Sequence, residues 1–154
     1  MHNYEIIRLK PEDYHKCSNI WDMEKHAELA QQCYDELISG NRVIYVCTED
    51  GEYLGEGSLV FEANDPEYSI PGRRVYFFRL VVKKERRNQG IGSILIDYIV
   101  QQAIEWGYQE ISIGVDKSNG IALKLYQKKG FTEILYDGED EHGPYFKLLK
   151  RLEE

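Results

Sequence analysis

The hydrophobic positions along the chain follow two different periods, and together they predict a protein of mixed strands and helices. Seven short segments are rich in β-branched or aromatic residues, as strands are. These segments are residues 4–9, 42–48, 53–62, 74–82, 109–115, 131–136 and 145–149. Four others carry apolar residues at helical spacing and begin near Pro11, Ala27, Ile91 and Asn119. Strands and helices alternate in the second half, which predicts an α/β fold with a mixed, mostly antiparallel sheet flanked by helices.

Turn residues separate these elements. Asp50-Gly51 predicts a tight hairpin between two strands, because both residues tolerate the positive φ that such turns need. Asn, Pro and Gly in segment 63–72 predict a loop, and the acidic run 137–142 is expected to be the loop between the last two strands. The strand 74–82 is almost continuously apolar, which predicts burial on both faces.

Composition limits the class of protein. The 154 residues, 42% of them hydrophobic and 30% charged, suit one globular domain over 1–154. No apolar run approaches the roughly 20 residues that span a bilayer, and the first residues lack a basic-then-apolar secretory signal. We therefore expect a cytoplasmic protein that does not contact a membrane. The net charge of -8 disfavours nucleic acid as a partner.

The three cysteines, Cys17, Cys33 and Cys47, are odd in number and far apart. Their spacing matches neither a metal site nor a redox motif. We expect them to be reduced, buried thiols, and we expect no metal.

Residues 87–92 (Arg-Asn-Gln-Gly-Ile-Gly) join a predicted strand to a predicted helix. Free N–H groups in the first turn of a helix, together with its dipole, attract phosphate. Gly90 and Gly92 lack side chains, so a ligand can approach the backbone. Four cations lie just upstream or at the start of this stretch: Lys83, Lys84, Arg86 and Arg87. The pattern predicts a pyrophosphate site.

Two common phosphate-binding motifs do not fit this stretch. The dinucleotide fingerprint needs a third glycine where Leu95 stands, and it needs the first glycine directly after the strand. The Walker motif needs Gly-Lys-Ser/Thr, which does not occur.

A longer pattern does fit. Residues 80–92 (Leu-Val-Val-Lys-Lys-Glu-Arg-Arg-Asn-Gln-Gly-Ile-Gly) resemble motif A of the GCN5-related N-acetyltransferases (GNATs), in which a strand and a basic loop precede Arg/Gln-x-x-Gly-x-Gly/Ala. Residues 115–131 resemble motif B, whose pattern is Asn, Ala, Leu-Tyr and then Gly-Phe. The resemblance is specific over about residues 78–131 and implies the GNAT acyl-CoA N-acyltransferase fold, splayed between strands 74–82 and 109–115.

The resemblance also implies acetyl-CoA as co-substrate. The residues that it assigns to acetyl-CoA are Leu80, Val81, Val82, Arg87, Asn88, Gln89, Gly90, Ile91, Gly92, Ser93, Asn119, Ala122 and Tyr126. The segment 87–93 would hold the pyrophosphate, and the backbone of 80–82 would pair with the pantetheine arm. Asn119 would contact pantetheine, and as a good helix cap it also suits the start of a helix. Tyr126 would lie near the thioester sulfur and stabilise it as it leaves.

The implied reaction is direct attack of a primary amine of a small molecule or peptide on the thioester, within a ternary complex. The base is less defined, because the strand 74–82 carries neither Glu nor His. Glu56 and Glu62 would share one face of the preceding strand, and Glu56 is our candidate base. Asp116 and a chain of water molecules are alternatives. The pocket for the amine acceptor could be lined by Tyr53, Glu56, Tyr68, Tyr76 and the 137–142 loop.

Two other functions stay open at this point. The chain could be a non-catalytic acyl-CoA-binding or regulatory module, or it could transfer a larger acyl group. A homodimer is expected, because the family commonly pairs strands equivalent to 131–136 and 145–149 across subunits.

Overall fold

A computed structural model describes residues 2–152 of the chain. Met1, Glu153 and Glu154, at the ends of the predicted domain, lie outside the described residues. The strands are β1 (Tyr4–Arg8), β2 (Arg42–Glu49), β3 (Glu52–Val60), β4 (Arg74–Val82), β5 (Glu110–Asp116), β6 (Glu133–Asp140) and β7 (Gly143–Arg151). The helices are α1 (Ala27–Ser39), α2 (Ile91–Glu105) and α3 (Gly120–Lys128), and 3₁₀ helices cover Pro11–Asn19 and Lys84–Arg86.

The strands form one mixed sheet in the order β1-β2-β3-β4-β5-β7-β6. β4 and β5 are parallel, whereas β1–β2, β5–β7 and β6–β7 are antiparallel pairs. The predicted mixed, mostly antiparallel sheet is therefore confirmed.

The chain divides into two compact units, and β4 contributes to both. Among the described residues, the first unit contains residues 2–59 and 79–99, and the second contains residues 60–78 and 100–152.

The first unit is built on β2 and β3, whose residues are buried almost throughout. Their hairpin turns through Asp50 and Gly51, with φ of 53° and 81°, which confirms the tight turn. The two faces of β3 meet different elements. Gly55 lies against Ile91 and Leu95 of α2, and Glu56 meets Trp21, which follows the first 3₁₀ helix. Two neighbouring residues of β3 thus have different roles: Gly55 packs against the start of α2, and Glu56 provides a buried carboxylate.

The second unit is built on β5, which pairs with β7 along its whole length. Its pairing with β4 runs from Arg74–Glu110 to Phe77–Ile113 and ends there, although both strands continue. Arg79, two residues later, has φ of +62°, an unusual value for a strand residue.

Three expectations about the strands were wrong. The acidic stretch 137–142 is not a loop: residues up to Asp140 continue β6 and pair with β7, so that Glu141 and His142 alone lie between the strands. β6 is the last strand of the sheet, where exposed charged side chains are well tolerated. β3 ends at Val60, so Glu62 lies beyond it and does not share a strand face with Glu56.

The third wrong expectation concerns β4. Val75 and Phe77 are buried, but the other residues of β4 are only half-buried. An apolar run alone cannot distinguish a strand that is covered on both faces from one that is covered on a single face.

Candidate functional site

The segment between β4 and α2 has the backbone of an anion-binding loop. After the 3₁₀ turn at Lys84–Arg86, Asn88 and Gly90 take φ of 64° and 85°, and α2 begins at Ile91. The N–H groups in the first turn of a helix have no intrahelical partner. A Cβ added at Gly90 would meet no atom within 4 Å, so the approach to this turn is open. The geometry suits a phosphate at the start of α2.

Ion pairs and hydrogen bonds attach this loop to the first two strands. Arg86 Nη2 lies 2.7 Å from Glu49 Oε1, and Arg86 Nε donates to Gln89 Oε1 at 3.0 Å. The hydroxyl of Tyr4 donates to the same Gln89 oxygen at 3.4 Å. The bond from Arg86, helped by the backbone N–H of Asn3, lowers the pKa of Glu49 to about 2. The loop is therefore held in place by charged contacts that act throughout the neutral pH range.

The predicted pantetheine-binding strand, Leu80–Val82, is half-buried. Its end is fixed to β3, because the Lys83 N–H donates to the Leu54 carbonyl at 2.8 Å. The Val82 carbonyl accepts a 3.2 Å hydrogen bond from Arg87 Nε. Arg87 is thereby directed back toward β4.

Glu56 lies inside the first unit, only 5% exposed, within a polar cluster that the sequence did not indicate. Its Oε1 accepts a 2.9 Å hydrogen bond from Trp21 Nε1, and the Cys17 thiol also donates to this carboxylate. Burial raises the pKa of Glu56, against the opposing effects of the Trp21 hydrogen bond and the nearby Arg79. The carboxylate is therefore easier to protonate than an exposed glutamate.

Arg79 is the cation of this cluster. Its guanidinium carbon lies 4.3 Å from the centroid of the Trp21 ring, within cation–π range. Burial raises the pKa of the thiols Cys17 and Cys33 nearby, so both are neutral at physiological pH. Cys47 is also buried, and all three cysteines are free, as expected.

Sequence reasoning missed Trp21 and Arg79. Trp21 fits the helical spacing of the preceding residues and looks like an ordinary core residue. The role of Arg79 depends on a backbone irregularity in β4 that no residue type announces. An arginine inside an otherwise apolar strand was the available signal.

The first unit also contains a cavity of about 440 Å³. It is lined by residues 18–24, which include Trp21, and by Lys83, Lys84 and Glu85. Lys83 Nζ bonds to Asn19 at 3.2 Å and to Glu52 at 3.0 Å. Lys83 thereby connects the two lining segments, 18–24 and 83–85, to each other and to the start of β3.

In the second unit, the predicted motif B residues lie on α3. Asn119 caps the helix, since its Oδ1 accepts from the Ala122 N–H at 3.2 Å. Tyr126 is 6% exposed, and its ring packs edge-on to Phe131. Burial raises the pKa of Tyr126 to about 12. Among residues 2–152 no side chain or backbone group bonds its hydroxyl, which leaves that hydroxyl able to donate to a ligand.

The residues predicted to line the acceptor pocket belong to different units. Tyr53 is buried in the first unit, and its carbonyl accepts from Asn19. In the second unit Tyr68 and Tyr76 stack with ring centroids 4.0 Å apart. Beside them Lys147 occupies an aromatic and acidic pocket, which the sequence also did not indicate.

The Lys147 ammonium bonds to Asp65 and Glu67, both at 2.8 Å, and lies within 5 Å of the Tyr68 and Tyr136 rings. The two carboxylates outweigh the effect of burial and raise its pKa. Lys147 is therefore a fixed charge rather than a nucleophile.

Within the described part of the chain, no helix is long and apolar enough to cross a membrane. No group of metal-ligating side chains was found among residues 2–152 either.

Comparisons with known proteins agree with these motifs. The sequence model of the Acetyltransferase (GNAT) family matches residues 4–131. Human N-acetyltransferase 8 is 27% identical over 106 residues, covering 57% of this chain and 47% of the human protein. GCN5-related N-acetyltransferase 6 of Arabidopsis thaliana is 38% identical over 59 residues, covering 38% of this chain. The chain spans only 20% of that relative's length.

A solved structure shares the fold. The PaiA N-acetyltransferase of Thermoplasma acidophilum, in complex with coenzyme A, superposes with a TM-score of 0.70 at 17% identity. The match covers 97% of this chain and 99% of that one.

Proposed function

Because the chain belongs to the Acetyltransferase (GNAT) family, we propose that it transfers an acetyl group from acetyl-CoA to a primary amine of a small molecule or peptide. The observation that carries the proposal is the start of α2, where Asn88 and Gly90 adopt positive φ directly before the first helical turn. That backbone is already shaped to receive phosphate. The structural relative bound to coenzyme A supports the same choice of donor.

The residues of each unit suit the donor in different ways. In the first unit, residues 87–93 would hold the pyrophosphate and the backbone of 80–82 would pair with the pantetheine arm. In the second unit, Asn119, Ala122 and Tyr126 would contact the donor. Asn119 keeps its amide nitrogen for this purpose, because its oxygen is already used in capping the helix.

The reaction we propose is direct attack of a neutral amine on the thioester in a ternary complex. A backbone N–H near Leu80–Val82 would stabilise the developing oxyanion. Tyr126 would donate a hydrogen bond to the departing sulfur. Since the pKa of Tyr126 is about 12 and that of a thiol is near 8.5, full proton transfer to the sulfur is uphill by about 5 kcal/mol. Tyr126 therefore acts by hydrogen bonding.

Glu56 is the proposed base. Its raised pKa brings it closer to neutral pH, where a base is most effective. Its carboxylate is buried and already bonded to Trp21 and Cys17, so a water molecule would carry the proton of the acceptor to it.

The test measures CoA release from acetyl-CoA with a panel of primary amines, amino acids and peptides. We expect turnover with at least one acceptor, and a fall in kcat of about 100-fold to 1,000-fold in Tyr126→Phe, the usual effect of losing one transition-state donor. Tyr34→Phe, the same change on the exposed side of α1, is the matched control and should be unchanged.

Binding measured by calorimetry separates the alternatives. Acetyl-CoA that binds tightly, with no acceptor turned over and no effect of Tyr126→Phe, would favour a non-catalytic acyl-CoA-binding module. Competition between acetyl-CoA and succinyl-CoA tests whether the chain transfers a larger acyl group.

We also propose a cytoplasmic homodimer that does not bind nucleic acid. Free, buried Cys17, Cys33 and Cys47 suit a reducing compartment, and a net charge of -8 repels phosphate backbones. β6 ends the sheet and carries Ile134, which is 55% exposed, so this edge is a candidate for pairing with a second copy. Light scattering would measure the mass, and a monomer at micromolar concentration would contradict the dimer.

A further inference from the structure

Arg79 is a half-buried cation whose hydrogen-bonding groups are unused. Its guanidinium lies on the Trp21 ring at 4.3 Å, and among residues 2–152 it makes no hydrogen bond and no ion pair. A guanidinium has five N–H donors. By contrast, Arg42 bonds to Glu36 at 2.6 Å and Arg86 to Glu49 at 2.7 Å in the same unit. Arg79 is thus held in place by the ring, and the Glu56 carboxylate acts on it electrostatically without forming an ion pair or a hydrogen bond with it.

The backbone of Arg79 is strained. Its φ of +62° is left-handed, a conformation that is unfavourable for a residue with a Cβ. A strained residue of this kind persists only where its surroundings hold it, and such residues cluster at functional sites. The strain aims Arg79 toward Trp21 at the point where the pairing of β4 with β5 has ended.

Glu56 fixes the orientation of this arginine indirectly. It accepts the hydrogen bond from Trp21 Nε1 at 2.9 Å, so the indole ring is oriented before Arg79 stacks on it. The cation–π contact with the ring uses none of the N–H groups of Arg79 in a hydrogen bond to another described residue, so these donors remain available. Two parallel N–H groups on one edge match the two oxygens of a carboxylate.

We infer that Arg79 binds a carboxylate of the acceptor, so that the substrate class is an amine that also carries a carboxylate. The inference rests on the proposed acetyl transfer. Arg79 directly precedes Leu80–Val82, the segment proposed to hold the pantetheine arm, so an anion at Arg79 lies beside the proposed path of the donor. The nearby Glu56 carboxylate disfavours a dianion such as phosphate and leaves a monoanionic carboxylate as the better match.

The experiment compares acceptors that differ only in this group. Phenylalanine is compared with phenylalaninamide, and lysine with cadaverine, in CoA-release assays. The comparison is made at equal concentrations of unprotonated amine, because removing the carboxylate also changes the pKa of the amine. We expect kcat/KM to favour the carboxylate by about 10-fold to 100-fold, as for a charge-assisted bidentate contact.

Three variants assign the preference to Arg79. Arg79→Gln should remove the preference and leave the KM for acetyl-CoA unchanged. Arg79→Lys keeps the charge but loses the planar fork, so part of the preference should remain. Arg8→Gln, the same substitution on the exposed face of β1, should keep the full preference.

A binding measurement keeps the inference testable without turnover. Trp21 and Trp106 are the two tryptophans, so in a Trp106→Phe background the fluorescence reports on Trp21 alone. Phenylalanine that binds Arg79 through its carboxylate should change the emission of Trp21, and Arg79→Gln should abolish that change. Thermal melting of each variant checks that it is folded.

The outcomes separate the two proposals. Turnover with a carboxylate preference that Arg79→Gln removes supports both. Turnover without the preference, or with a preference that survives in Arg79→Gln, overturns the carboxylate site and leaves the transferase. A Trp21 signal without any turnover supports the carboxylate site and counts against acetyl transfer. The absence of both turnover and a Trp21 signal overturns both proposals.

Discussion

Arg86 Nη2 donates a hydrogen bond of 2.7 Å to Glu49 Oε1 and so joins the loop before α2 to the last residue of β2. Arg86 also reaches Gln89 in the loop itself, and Gln89 accepts a further bond from Tyr4 of β1. A loop that is ordered before its ligand arrives binds with a smaller entropic cost. We therefore assign Glu49 a positioning role that acts through Arg86.

Glu49→Gln should weaken the binding of acetyl-CoA without affecting the chemical step. Loss of the charge weakens the attachment of Arg86 to β2, and the KM for acetyl-CoA should rise by about 2-fold to 5-fold, as expected for a partly exposed ion pair. The kcat at saturating acetyl-CoA should be unchanged. Steady-state kinetics measure both constants, and Glu5→Gln on β1 is the control. An unchanged KM would mean that the loop keeps its conformation without Glu49.

Glu56→Gln should change how stability depends on pH. Burial raises the pKa of Glu56 above its unfolded value near 4.5. The stabilising contribution of the protonated acid is therefore complete below pH 4.5 and is lost as the pH rises through the folded pKa. The wild type minus Glu56→Gln difference in unfolding free energy should fall from pH 4 to pH 8. Other groups titrate equally in both proteins and cancel.

Urea unfolding at several pH values measures that difference. The glutamine can still accept from Trp21 Nε1, so the substitution removes the charge and keeps that hydrogen bond. Parallel pH profiles for the two proteins would mean that the Glu56 carboxylate is not perturbed in the folded state.

Most of the fold could be predicted from local patterns. β4 was predicted with its observed bounds because 74–82 is dense in residues that favour strands. β6 was predicted too short because residues 137–140 are acidic and contain a glycine, which is typical of a loop. What extends β6 is its pairing with β7, a property of the tertiary structure that a local window cannot contain.

The candidate site was predictable only where it lies within one motif. The loop before α2 and the cap at Asn119 are local in sequence, and the structure has both a left-handed turn at Asn88 and Gly90 and a capping bond from Asn119. The cluster around Glu56 joins residues that are 35 positions apart, as in its bond with Trp21. Long-range contacts of this kind decide which glutamate of a strand is buried. They leave no periodic pattern in a single sequence from which they could be predicted.

Substitutions at Asn119 should separate its capping role from its proposed contact with pantetheine. Asn119→Ser keeps a capping oxygen, so stability should be retained, but it loses the amide nitrogen and should raise the KM for acetyl-CoA. Asn119→Ala loses both and should also lower the unfolding free energy by about 1 kcal/mol. Urea unfolding and steady-state kinetics measure the two effects. If Asn119→Ser kept the wild-type KM, Asn119 would have a purely structural role.

Gly55→Ala should disturb the loop before α2, because Gly55 of β3 packs against the first turns of that helix. A Cβ at Gly55 would lie 3.1 Å from Ile91 Cγ2, 3.2 Å from Leu95 Cδ1 and 3.2 Å from the Val81 carbonyl oxygen. These distances are shorter than ordinary van der Waals contacts, so the two side chains or α2 itself must move by a few tenths of an ångström, and we expect a cost of about 1–3 kcal/mol in unfolding free energy. Ile91 is the first residue of α2, and its movement should raise the KM for acetyl-CoA as well.

The matched control is Gly120→Ala at the start of α3, where the added Cβ meets nothing within 4 Å. Because alanine has less freedom than glycine in the unfolded chain, this change should stabilise the protein by about 0.5 kcal/mol. Urea unfolding of both variants measures the two opposite shifts. If Gly55→Ala left both stability and the KM unchanged, the side chains of Ile91 and Leu95 would be repacking without moving the helix, and the close contact of β3 with α2 would not set the shape of the loop.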